Sequence, residues 1–310
     1  PIGVLLSGGL DSSLTSAIAS RLLAESSKKL HSFSIGLDAA APDAAAARKV
    51  AEFLGTEHHE IHFTIEEGIK ILDKLIWHLE TYDVTSIRAS TPMYFLSKAI
   101  ANLGIKVVLS GEGADEIFGG YLYFRNAPSV EDFQKETIER VQKIFTADLL
   151  RADKSTMAHG LEARVPFLDK AFLDMAVRIK AVEKMPKTYE GKEKYILRKA
   201  FDTPNDPYLP DEVLWRQKEQ FSDGVGYNWI DQLIEYCSSQ VTDQELAGAA
   251  VEFPYNSPTT KEAYFYRSIF SKYYPQVSAA QTVRKWIPKW QENQDPSGRA
   301  NAAHVQADIE

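Results

Sequence analysis

The sequence predicts a doubly wound α/β fold: a parallel sheet with helices on both faces, followed by a largely helical C-terminal half. Short apolar runs alternate with helix-period stretches through about the first 120 residues. Two of those runs pass straight into Gly-rich loops that carry acids. Beyond Tyr121, apolar residues recur at helical spacing and no strand alternation stands out.

Taken in order, residues 3–6 read as a buried strand and 13–24 as a helix. Residues 31–36 make a second strand, and 42–54 a helix that Gly55 is placed to stop. Residues 58–63 alternate like a third strand. Thr64 and Glu67 have capping-box spacing, which pairs two otherwise unsatisfied backbone donors. From there Ile65, Ile69, Leu72, Ile76 and Leu79 form one apolar stripe, predicting a single long helix. Pro92 is expected at the start of the next helix and Gly104 at its end. Residues 105–109 form a fourth strand. Strands separated by helices imply right-handed crossovers and hence a parallel sheet. Residues 130–150, 171–179, 193–201 and 261–270 read as helices of the second half, and the alanine-rich stretch 39–47 as a helix start or a surface loop. Residues 1–285 are taken as one domain and 286–310 as a polar tail, loosely held from 291 onward.

Composition narrows the function. A formal net charge of −8 argues against broad nucleic-acid binding, which needs a basic surface. The chain has no run of eighteen apolar residues, so no membrane span is expected. Its only cysteine, Cys237, excludes an intrachain disulfide and fits a cytoplasmic protein; its expected place is half-buried, as a small apolar residue. Val4-Leu5-Leu6 is a central-strand pattern at the very start, so a fragment of a longer protein is expected. His58, His59 and His62 do not suggest zinc, because no further ligand cluster accompanies them on the strand.

The chemistry lies in the two loops. The first strand runs into Ser7-Gly8-Gly9-Leu10-Asp11-Ser12-Ser13, which opens a helix. Its glycines permit a tight turn and close approach of backbone to a ligand. The N–H groups and dipole of a helix start attract an anion, and the serines donate to phosphate oxygens. Asp11 makes sense beside phosphate if Mg²⁺ lies between them. The bland alternative is a Gly-Ser turn with an aspartate cap. The spacing is neither Gly-x4-Gly-Lys-Ser/Thr nor Gly-x-Gly-x-x-Gly; it resembles the pyrophosphate-binding loop of the ATP pyrophosphatase superfamily. The fourth strand ends in Ser110-Gly111-Glu112-Gly113-Ala114-Asp115-Glu116. In a parallel sheet both loops emerge at the same carboxyl edge, near the switch in strand order where ligands bind. Crowded carboxylates raise each other's cost of ionisation unless a cation sits among them. An acidic surface loop explains the charge but not the glycine spacing.

With 110–121, four further stretches carry a more specific likeness: 79–84, 88–94, Gly160-Leu161-Glu162-Ala163-Arg164-Val165-Pro166-Phe167-Leu168-Asp169, and Trp215-Arg216-Gln217-Lys218-Glu219-Gln220-Phe221-Ser222-Asp223-Gly224. Together they resemble the synthetase domain of the glutamine-hydrolysing asparagine synthetases, ligases with an adenine nucleotide α-hydrolase-like fold. The likeness runs to Asp295-Pro296-Ser297-Gly298-Arg299. It implies conversion of aspartate to asparagine with ATP, through β-aspartyl-AMP and attack by ammonia, releasing AMP and pyrophosphate.

Residue by residue, the resemblance implies that Ser7, Gly8, Gly9, Asp11 and Ser12 hold the pyrophosphate end of ATP, and that Leu6, Ile35, Ser110 and Gly111 line its adenosine. Ile35 also reads as a strand core residue, and both can hold. Asp11 and Asp115 would ligate Mg²⁺. Glu112 would be the acid that serves intermediate formation and takes a proton from ammonia. Lys218 would be the catalytic lysine near the α-phosphate, although alone it reads as a surface lysine in a charged run. Glu116, Asp148 and Arg151 match positions near the aspartate pocket; Asp148 and Arg151 also look like an ordinary i, i+3 pair. Residues 165–169 are expected to be a packed structural turn.

The family's N-terminal glutaminase domain, with its leading cysteine, has no counterpart in this chain, so glutamine hydrolysis is not expected of it. That domain is the expected source of ammonia, and a homodimer is left open. A β-lactam-synthetase-like cyclase, a nucleotide aminator and a non-catalytic partner are the competing readings. Intact Asp11, Glu112, Asp115 and Lys218 argue against the last of these.

Overall fold

The apolar run at the N-terminus forms β1 (Ile2–Leu5) and turns within four residues into α1 (Leu10–Ala24). The computed structural model describes residues 2–24 and 28–304. Then come β2 (His31–Gly36), α2 (Pro42–Leu54), β3 (Glu57–His62), α3 (Ile65–Lys70), α4 (Leu72–Leu79), α5 (Val84–Asn102) and β4 (Val107–Leu109). Gly55 closes α2 in the left-handed region, with φ 65°. Thr64 and Glu67 make the expected capping box.

Among the described residues the strands make one sheet in the order β3-β2-β1-β4 with a further strand, β5 (Glu162–Arg164), beyond β4, and every pairing is parallel. The strand order reverses direction between β1 and β4. Helix α1 packs on β1 and α2 on β2, while α5 covers β2 from the core that holds Phe33, Ile35 and Val108. That core also takes in buried residues of α4 and of the helices Asn228–Gln240 and Lys261–Tyr273. Cys237 is fully buried there rather than half-buried, and burial pushes its thiol up, out of reach of ordinary reactivity.

The structure departs from the sequence expectation at five places. β5 is three residues long, with exposed Glu162 and Arg164 flanking Ala163, so it has no apolar alternation to betray it. The long amphipathic helix breaks at Ile71 into α3 and α4. The break follows Gly68, whose bare backbone is pressed on the Trp229 ring. Pro92 does not start a helix but lies inside α5, which begins after Asp83 caps Ser86 N. A proline inside a helix leaves the carbonyl four residues back without its donor; here the Trp229 indole N–H donates to Arg88 O at 2.9 Å and fills that role. The helical stretch 130–150 is divided: after α6 (Ala114–Phe118), α7 spans Val130–Lys143 and α8 Asp148–Met157. Finally, the polar tail is not loosely held as far as residue 304. Its charges serve buried partners: Arg88 donates to Asp295, and Asp223 accepts from Ser297, Gly298 and Arg299. Residues 305–310 of that tail lie outside the described residues. None of the described helices is long and apolar enough to cross a membrane.

Candidate active site

The loops after β1 and β4 meet backbone to backbone at the carboxyl edge of the sheet. A Cβ on Gly111 would lie 2.7 Å from Ser12 N and 2.8 Å from the Asp11 carbonyl carbon, so only glycine allows this approach. Gly8, with φ 71°, presses on the backbone of Ala46 and Ala47 in α2. Gly8 is therefore a buttress, whereas Ser7, Gly9, Asp11 and Ser12 line the cleft. The Ser7 and Ser12 hydroxyls lie 3.0 Å apart at the N-terminus of α1, a helix of 15 residues. The cleft is open to solvent at its mouth.

Lysines enter this loop junction from the second half of the chain. Lys194, almost fully buried, places Nζ 2.5 Å from Asp11 Oδ2 and 2.6 Å from Asp115 Oδ1. Lys218 Nζ lies 3.1 Å from Asp115 Oδ2 and donates to Glu219 O at 2.7 Å. Its backbone N–H donates to the buried Glu193 carboxylate, which is also bound by Arg198 and Arg125. Burial works to raise the Asp115 carboxyl, but Lys194 and Lys218 overcome it and hold it at about 2. Burial works against the charge of Lys218, and Asp115 and Asp11 outweigh that, raising its ammonium above the usual range. Asp11 fares differently: burial raises its carboxyl against the pull of Lys194, and its Oδ1 is buried with no hydrogen-bond partner. Hard anionic oxygens with one buried acceptor unmet are a donor set that fits Mg²⁺.

The opposite wall is built by α8. Arg151 Nη2 donates to Glu112 Oε1 at 2.8 Å and reaches Asp148 Oδ1 at 3.4 Å, so the shorter contact is across the cleft. Burial raises the Glu112 carboxyl, against the opposing pull of Arg151. Glu112, Asp148 and Arg151 all line the cleft. Glu116 does not: it faces a neighbouring cavity, and the Tyr121 hydroxyl donates to it at 2.6 Å. Burial, with Asp148 and Asp115 nearby, pushes Glu116 well above the carboxylate range.

Leu6, Ile35, Ser110 and Gly111 also line the cleft. Ile35 is only 2% exposed and belongs to the core while also lining the cleft. The sequence reading missed Lys194, Asp43 and Arg216. Lys194 lies in the string Lys192-Glu193-Lys194, which looks like a solvated surface. Asp43 lies in the alanine-rich stretch and accepts from Arg216 at 3.1 Å; burial raises its carboxyl to about 6 despite that partner. No local signal marks Lys194 as a partner of Asp11 and Asp115, or Asp43 as a cleft residue.

His58 and His62 face one side of β3 and His59 the other, as alternation requires. His58 bonds Ser32 and Ser34, while His59 meets His31 and Glu57, a ligand cluster the sequence reading did not anticipate.

A site of this form can hold a polyphosphate at the glycine loop, a hard cation on Asp11 and Asp115, and a carboxylate-bearing substrate near Arg151. A family model described as asparagine synthase matches residues 1–138 and 125–294. A probable glutamine-hydrolyzing asparagine synthetase of Dictyostelium discoideum is 56% identical over 98% of this chain and 57% of its own length. The asparagine synthetase of Asparagus officinalis is 53% identical over 97% of this chain and 54% of its own. A probable asparagine synthetase of Schizosaccharomyces pombe is 57% identical over 99% and 58%. The chain thus spans little more than half the length of these curated relatives.

Proposed function

The chain belongs to the asparagine synthase family, and from that premise we propose that it makes asparagine from aspartate, ATP and ammonia by way of an aspartyl adenylate. The observation that carries this reading is the shared cleft, with the Ser7–Ser12 loop, the Asp11–Lys194–Asp115–Lys218 cluster and the Glu112–Arg151 pair facing one another.

Leu6, Ile35, Ser110 and Gly111 receive the adenosine, and the Ser7–Ser12 loop with the start of α1 receives the β- and γ-phosphates. Asp11 and Asp115 would hold Mg²⁺, which supplies charge neutralisation to the phosphates; the unmet Asp11 Oδ1 supports this. Arg151 positions the aspartate. An oxygen of its β-carboxylate then bonds to the α-phosphorus while the α–β bridging P–O bond breaks and pyrophosphate leaves. Lys218, kept charged by Asp115 and Asp11, stabilises negative charge that builds on the α-phosphate. Ammonia next bonds to the acyl carbon, the acyl–oxygen bond breaks, and AMP departs with that oxygen. A proton passes from the nitrogen to Glu112, whose raised affinity for protons suits a base.

The relatives are named as glutamine-hydrolyzing. We assign that step, and the supply of ammonia, to a glutaminase part of such enzymes. The test is to assay pyrophosphate and asparagine together with ATP, Mg²⁺, aspartate and ammonium. Both should appear in equal amounts, only with aspartate, and both should vanish in Asp11→Asn. Pyrophosphate released equally well without aspartate would sink the reading.

A further inference from the structure

At the opposite, N-terminal edge of the sheet, three potential ligands converge from adjacent strands. His31 opens β2; Glu57 and His59 lie on β3, the edge strand. Parallel register sets His31 against Glu57 and Phe33 against His59, so alternation puts all four side chains on one face. His31 Nδ1 lies 3.2 Å from His59 Nε2, and Glu57 Oε1 lies 3.7 Å from the first and 3.8 Å from the second. A triangle with these sides has a point about 2.1 Å from all three corners, which is the length of a zinc bond to imidazole nitrogen or carboxylate oxygen, about 2.0–2.2 Å. The two imidazoles are inclined by only 19°, with centroids 5.4 Å apart, so they meet edge to edge rather than face to face. The fully buried Phe33 ring lies 4.8 Å from His59 and nearly parallel to it, closing the floor.

We infer that His31, Glu57 and His59 form a site for a divalent transition metal, with Zn²⁺ the best match. Two neutral imidazoles and one carboxylate are a donor set that suits zinc, and solvent completes the shell on the exposed side. Without metal, the two histidines share one N–H between Nδ1 and Nε2. On binding, that proton moves to the far nitrogen of its own ring, and both facing lone pairs go to the metal. The ion ties edge strand β3 to β2 at the N-terminal edge of the sheet, opposite the glycine loops. It acts on the stability of that edge rather than on the chemistry.

The experiment is titration of the full chain with Zn²⁺ by calorimetry in a non-chelating buffer, with Co²⁺ absorption as a second readout. One equivalent should bind, raise the melting temperature and, as Co²⁺, give ligand-field bands. Both His31→Ala and His59→Ala should weaken Zn²⁺ binding by about 100-fold or more. Glu57→Gln, a milder change, covers the case in which a histidine variant fails to fold, and should weaken binding by about tenfold or more. His62→Ala, on the other face beside Glu60, should bind as the parent does. Absence of saturable binding to the parent chain, or binding unchanged in the folded variants among these three, overturns the site.

Discussion

Two buried clusters of charge in this molecule are built on opposite plans. Under the tail, Arg88 donates to both oxygens of Glu262 and both of Asp295; Glu262 also accepts from Tyr266, and Asp295 from Ser297 N. The Arg88 guanidinium is satisfied, and the carboxylates hold its charge firmly in place. In the cleft, Asp11 keeps a buried oxygen with no donor, while burial pushes Asp11, Glu112 and Asp43 towards neutrality. The saturated cluster fastens residues 286–304 to the body. The unsaturated one carries a standing energetic cost that a cation and a polar substrate can offset. That contrast separates structural ion networks from binding sites more sharply than counting charges would.

The largest effect should come from breaking the saturated cluster. Arg88→Met leaves Glu262 buried without its partner and should cost about 3–5 kcal/mol of stability. Denaturant unfolding would measure this, and limited proteolysis should find the chain near Asp295 newly accessible. In the cleft, Lys194→Met removes the ammonium shared by Asp11 and Asp115. Aspartate-dependent pyrophosphate release should fall by about 10²–10³-fold, with a smaller change in stability than Arg88→Met produces. Should Lys194→Met unfold the protein while Arg88→Met does not, the contrast between the clusters is reversed.

The smallest effect is the pH dependence of Asp43. Its folded carboxyl sits at about 6, above the ordinary 3.8. Between those values the folded state holds more protons than the unfolded one, so this group's contribution to stability falls as pH rises through the interval. Above about pH 6 the cost is fully present, at most about 3 kcal/mol. The stability difference between parent and Asp43→Asn, followed by denaturant unfolding from pH 4 to 7, should shift in favour of the variant as pH rises. A difference that stays flat would show that Arg216 fully compensates Asp43.

Most of the sheet half was legible because its signals are local. Capping at Thr64, the stop at Gly55 and the two Gly-rich loops each follow from residues a few positions apart. What was hidden depends on distant partners. Pro92 fits inside a helix only because Trp229 supplies a donor from 137 positions away. β5 is a strand only because β4 has a free edge for it. The candidate site was legible where loop spacing encodes it, at Ser7–Ser12 and Ser110–Asp115. It was illegible at Lys194, which is drawn in against Asp11 and Asp115 from a stretch whose composition says surface. His31 and Glu57 are invisible beside His59 until the register of β2 and β3 is known.

The most direct test of the central claim is to follow oxygen. Aspartate labelled with ¹⁸O in its β-carboxylate would be turned over with ATP, Mg²⁺ and ammonium, and the AMP recovered for mass spectrometry. If the cleft joins that carboxylate to the α-phosphorus, one ¹⁸O should appear in AMP for each asparagine formed. Asparagine formed while AMP stays unlabelled would contradict the adenylate route and, with it, the part Lys218 plays at the α-phosphate.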